Sequence, residues 1–114
     1  MSTDLNFYVC LDNNPNFSPV VVGLLQAYLD DGFLERLEPA LKKARDLGRK
    51  VLVCPPGDVE ELEFTEDAYG EPLTYLKPED LDGITDTHPA NQALLDYITK
   101  NTFRYALIVV LYWN

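Results

Sequence analysis

Leu5 to Leu11 (LNFYVCL) is an almost unbroken apolar run, the pattern of a strand buried on both faces. The turn-forming residues Asp12-Asn13-Asn14-Pro15-Asn16 stop it. Ser18 then stands as an N-cap with Pro19 at the first helical position. Val20, Val21, Leu24, Leu25 and Tyr28 recur at helical spacing, which predicts a first helix to about Leu29, ended by Asp30-Asp31-Gly32. A second helix is expected over Phe33–Leu47, where Leu34, Leu37, Leu41 and Ala44 make one stripe and Gly48 is placed for a C-terminal cap. Pro39 conflicts with a helix interior, so that helix must kink or begin its regular part near it.

Arg49 to Cys54 (RKVLVC) reads as the second strand, closed by Pro55-Pro56-Gly57. Leu62 and Phe64 alternate with Glu61, Glu63 and Thr65, as in a strand with one wet face. Tyr69-Gly70-Glu71-Pro72 leads on to Leu73-Thr74-Tyr75-Leu76, so a hairpin is predicted. Lys77 to Asp86 is expected as exposed loop. His88-Pro89 opens a third helix to about Lys100, with Ala90, Leu94, Tyr97 and Ile98 turned inward. Phe103 to Trp113 is the last strand, and its solid apolar core argues for a central place in the sheet.

The order β-α-α-β, hairpin, α-β predicts an α/β fold of one small domain over residues 1–114. Its sheet is expected to be mainly parallel and flanked by helices, with an acidic hairpin or loop insert at 57–86. A length of 114 residues with 46% hydrophobic content fits one folded domain rather than a disordered chain. The start MSTDLNFYVCL lacks a basic and then apolar leader, and the longest apolar run, Tyr105 to Trp113, is about half a membrane span. A cytoplasmic protein without membrane contact is therefore expected. Cys10 and Cys54 lie in apolar runs without C-x-x-C spacing and are expected as buried free thiols.

Charge changes the picture more than composition does. The thirty residues from Gly57 to Asp86 hold eleven acids and one base, Lys77, which equals the net charge of −10 for the whole chain. The other 84 residues balance, with eight acids and eight bases. Charge gathered in one segment makes a directional field that steers a cationic partner.

Enzymatic readings find less support. In a parallel sheet, the loop carrying Asp12, Asn14 and Asn16 would face Asp58 at the carboxyl edge, where ligands commonly bind. A strand followed by Asp12 resembles the opening of haloacid dehalogenase-type phosphatases, but those need a second Asp where this chain has Asn14. No glycine-rich phosphate loop is present, since the glycines are scattered. The single histidine, His88, has only Asp86 beside it as an orienting carboxylate and reads as a helix cap. Asp80-Leu81-Asp82-Gly83 fails as a calcium loop because Pro78 would hold its first ligand position. No metal or cofactor is expected, and a pI near 4.3 argues against direct nucleic-acid binding.

The sequence thus favours a non-enzymatic acidic module that docks a basic protein surface. Small acidic α/β domains of this composition resemble immunity proteins, antitoxins and inhibitors, some of which imitate nucleic acid. The expected contact residues are Asp58, Glu60, Glu61, Glu63, Glu66, Asp67 and Glu71, with Tyr69 and Tyr75 as aromatic anchors. The competing expectation is a small-molecule-binding protein or enzyme that uses Asp12, Asn14, Asn16 and Asp58 at the strand-end rim.

Overall fold

The computed structural model describes residues 4–12, 19–47, 52–53, 62–63, 66 and 69–113. Its centre is a five-stranded antiparallel sheet with two α-helices, and the parallel sheet expected from the element order is not what forms. The strands are β1 (Leu5–Leu11), β2 (Val20–Ala27), β3 (Lys42–Lys43), β4 (Leu52–Val53), β5 (Leu62–Glu63), β6 (Thr74–Leu76) and β7 (Leu107–Trp113). The helices are α1 (Asp31–Leu37) and α2 (Pro89–Thr99). In space the main sheet runs β2-β1-β7-β6-β3, and every neighbouring pair is antiparallel. β4 and β5 pair separately, as a two-stranded antiparallel ribbon.

β1 and β7 occupy the middle of the sheet, as their apolar runs predict. Seven residue pairs join them, from Leu5 opposite Trp113 to Leu11 opposite Leu107. Alternate side chains feed two cores. Leu5, Phe7 and Val9 with Leu107, Val109 and Leu111 face the helices, where Phe33 and Leu37 of α1 and Leu94, Leu95 and Ile98 of α2 cover them. Tyr8, Cys10, Ile108, Val110 and Tyr112 face the other way and pack with Tyr75, Leu73 and Ala44. Cys10 is buried, its Sγ donating to the Tyr8 carbonyl at 3.4 Å, and Cys54 lies outside the described residues.

The source of the topological error is the segment expected as the first helix. Val20 to Ala27 is the edge strand β2, paired with β1 in a hairpin. Val20-Val21-Val22 followed by Gly23 is a poor helix sequence, because three β-branched side chains and a glycine all lower helix propensity. As a strand it turns Val21, Gly23, Leu25 and Ala27 inward and leaves Val20, Val22 and Leu24 exposed. The register slips between Val9 and Cys10, a bulge that leaves Val22 without an opposite residue. A strand that returns directly beside its predecessor must be antiparallel.

The second expected helix is cut short. Asp30, placed by the sequence pattern at the end of a helix, instead caps the start of α1, its carboxylate accepting the Gly32 N–H at 3.0 Å. α1 stops at Leu37, and Pro39 sits in a 3-10 turn over Glu38–Ala40 because it has no N–H to continue the helix. The chain then extends into β3.

The predicted hairpin also pairs differently: Leu62–Glu63 joins Leu52–Val53, while Thr74–Leu76 lies between β7 and β3. Lys77 to Asp86 is not a free loop. Pro78–Leu81 is a 3-10 turn whose Pro78 and Leu81 are buried, and Asp86 is buried as well. Gly83 has a φ of 86°, a left-handed conformation that costs a side chain strain, so the turn after Leu81 depends on it.

α2 begins and ends close to expectation. His88 is its N-cap, with Nδ1 accepting the Ala90 N–H at 3.2 Å, and Pro89 occupies the first turn. Its inner face carries Asn91, Leu94, Leu95 and Ile98, whereas Ala90 and Tyr97, expected inside, are exposed.

Candidate functional site

The antiparallel sheet removes the basis for the strand-end rim. Asp12 follows β1 and its N–H donates to the Ala106 carbonyl at 2.7 Å, tying the strand end to the turn before β7. Asn14, Asn16 and Asp58 lie outside the described residues.

Of the expected docking residues, Asp58, Glu60, Glu61 and Asp67 also lie outside the described residues, and Glu63 is placed as part of β5. Glu66, Tyr69 and Glu71 are exposed. Glu66 bridges to Pro72 across the loop tip, where Gly70 has a φ of 81°. Tyr75 is no surface anchor. It is only 7% exposed and packs in the core opposite Val110, because its position on β6 turns it toward the face away from the helices.

The last part of the acidic stretch is tied into the fold. Asp80 meets Lys42 at 3.2 Å and Asp82 meets Arg104 at 2.6 Å. Arg104 also donates to the Thr99 carbonyl at 2.9 Å, and the Asp82 hydrogen bond raises its pKa above the ordinary value. Both pairs are largely solvated and contribute little stability individually, but they anchor the 78–82 turn to β3 and to the start of β7.

Asp86 is different, and its importance is invisible in the charge pattern. Its side chain is fully buried and is held by Asn91 Nδ2 at 2.9 Å and by the Arg36 guanidinium of α1. Its backbone N–H donates to Gln92 Oε1 at 2.9 Å. Burial by itself would raise the Asp86 pKa. The Asn91 hydrogen bond, the Arg36 charge and the N–H groups of His88 and Thr87 outweigh it, and the carboxyl is held below its ordinary range.

Asn91, itself 0% exposed, extends the network to the end of β2. Its Oδ1 accepts the Tyr28 N–H and its Nδ2 donates to the Tyr28 carbonyl, each at 2.8 Å. The Tyr28 ring stacks on His88 with centroids 3.8 Å apart. This cluster joins β2, α1 and α2. The Asp86 carboxylate and the Asn91 amide spend their hydrogen bonds on partners within the protein, so the cluster clamps these elements together.

No family model, curated protein or solved structure matches this chain.

A concave feature of the surface lies elsewhere, between α1 and the β6–β7 pair. Two adjoining hollows of about 450 and 430 Å³ share Leu41, Thr74, Leu111 and Trp113. Leu34 and Leu37 extend this apolar floor beneath α1. Asp31, Glu35 and Glu38, spaced along one side of α1 and the turn after it, form one rim. Tyr69 and Glu71 stand on the opposite side. Among the described residues, no lysine or arginine lines either hollow. Lys43, opposite Thr74 in the β3–β6 pair, is exposed but not part of the lining.

Among the described residues, no three His, Cys, Asp or Glu side chains could hold one metal ion. No described helix is long and apolar enough to cross a membrane.

Proposed function

We propose that this protein is a non-enzymatic acidic module that docks a basic surface of a protein partner. The observation that carries the reading is the row of carboxylates on α1 and the turn after it, which meets no counter-charge among the described residues. Asp31, Glu35 and Glu38 have no ion pair among the described residues, and Glu66 and Glu71 are exposed beside Tyr69. In sequence, this surface continues into Asp58, Glu60, Glu61, Glu63 and Asp67. Carboxylates left unpaired on a surface repel one another, a cost that a basic partner relieves on binding. Four of the chain's nine bases, Arg36, Lys42, Lys100 and Arg104, are already paired with other carboxylates.

The test replaces Glu60, Glu61, Glu63, Glu66 and Asp67 with Gln or Asn. The replacements keep side-chain size and remove mutual repulsion, so the melting temperature should hardly change or should rise slightly. A partner recovered from the source cells by the wild type should associate about tenfold or more slowly with the neutralised protein. The wild-type interaction should also weaken as salt is added. Equal recovery by both proteins, independent of salt, would leave the acidic stretch as a solubilising feature only.

A further inference from the structure

We propose that the groove between α1 and the β6–β7 pair seats an arginine-bearing segment of the partner, an inference that rests on the acidic docking reading and names its chemistry. The floor of Leu34, Leu37, Leu41 and Leu111 suits the aliphatic stem of a long side chain. The rim supplies carboxylates from both sides, Glu35 and Glu38 on one and Glu71 on the other. Trp113 and Tyr69 border the same space and offer aromatic faces to a planar cation.

Arginine meets all three features at once. Its guanidinium stacks on an aromatic ring and still presents a fork of N–H donors to carboxylates, whereas lysine offers a compact charge without the planar face. A neutral apolar segment would partly desolvate Glu35 and Glu38 and give them no counter-charge. A second copy of this chain is a poor occupant, because it brings a net charge of −10 against an acidic rim. At about 450 and 430 Å³, the two hollows are within the usual range of ligand-binding clefts.

Trp113 is the only tryptophan in the chain, so its fluorescence reports on this groove alone. The experiment titrates wild type and a Glu35→Gln/Glu38→Gln variant with end-blocked tetra-arginine and tetra-lysine at low salt. Trp113 emission and calorimetric heat are followed together. Emission should change saturably with tetra-arginine, at about fivefold lower concentration than with tetra-lysine. Affinity of the double variant for tetra-arginine should fall about three- to tenfold. Both glutamates are exposed, so the variant should melt as the wild type does.

Calorimetric binding with Trp113 emission unchanged, or with equal affinity in the variant, overturns the groove and leaves the acidic docking reading intact. Equal affinity for the two peptides overturns the choice of arginine. Absence of heat with either peptide overturns the groove, and the fate of the wider reading is then decided by the neutralised-protein recovery described above.

Discussion

Deletion of residues 107–114 should abolish folding rather than trim a tail. β7 is bonded to β1 on one side and β6 on the other, so its loss separates the β1–β2 hairpin from the rest of the sheet. Both cores are opened at once: Leu107, Val109 and Leu111 leave the helix-covered face, and Ile108, Val110 and Tyr112 leave the other. Full burial of one such side chain is worth about 1.5–3 kcal/mol. Six of them therefore represent on the order of 10 kcal/mol, comparable to the whole stability of a small domain, about 5–15 kcal/mol. The truncated chain should be insoluble, or soluble without a cooperative thermal transition by circular dichroism. A cooperatively melting truncation would show that β7 is peripheral.

Replacing Asn91 with Ala should be the most damaging single substitution outside the apolar core. It removes three hydrogen bonds at 2.8–2.9 Å and strips partners from both backbone groups of Tyr28 and from the Asp86 carboxylate. The expected loss is about 3 kcal/mol, because each orphaned buried group adds a desolvation penalty to the bond that is lost. In a domain of this size that lowers the melting temperature by about 12 °C or more. A fall of only a degree or two would show that water takes over the vacated positions.

Asp86 also predicts a pH dependence. Its folded pKa lies below the ordinary value of 3.8. Its ionised form therefore stabilises the fold fully above 3.8, and the stabilisation is lost as the pH falls from there through the folded value. Replacing Asp86 with Asn should lower the melting temperature at neutral pH and leave a smaller further decline below pH 3.8 than the wild type shows. Parallel melting curves across that range for the two proteins would mean that the carboxylate is not held in its charged form.

The candidate site was legible only in part. The acidic stretch stands out in the sequence because charge is counted without knowing the fold. Tyr69 and Tyr75 look alike as sequence, yet one is 49% exposed at a loop tip and the other is buried opposite Val110. The α1 carboxylates were missed because Asp31, Glu35 and Glu38 belong to the charge-balanced part of the chain. Balance along the sequence does not mean neutralisation in space: Arg36, their neighbour, turns inward to Asp86, fifty residues away. A signal was present in the spacing, since positions 31, 35 and 38 recur at four and three residues, the repeat that keeps side chains on one side of a helical segment.

Local rules were enough for three features of the protein. The buried strands Leu5–Leu11 and Leu107–Trp113 follow from their unbroken apolar runs, and α2 follows from a His cap, a proline and helical periodicity. The concentration of negative charge needs no structure at all. Strand direction, by contrast, was decided by tertiary pairing. An apolar run reports that both faces of a strand are covered, which parallel sheets achieve and which the centre of this antiparallel sheet achieves equally. Val20–Ala27 could meet its hydrophobic needs as a helix or a strand, and pairing along the whole of β1 selected the strand. The Asp86 clamp likewise exists only once β2, α1 and α2 converge, because the energy of a buried carboxylate is set by partners that sequence neighbours do not reveal.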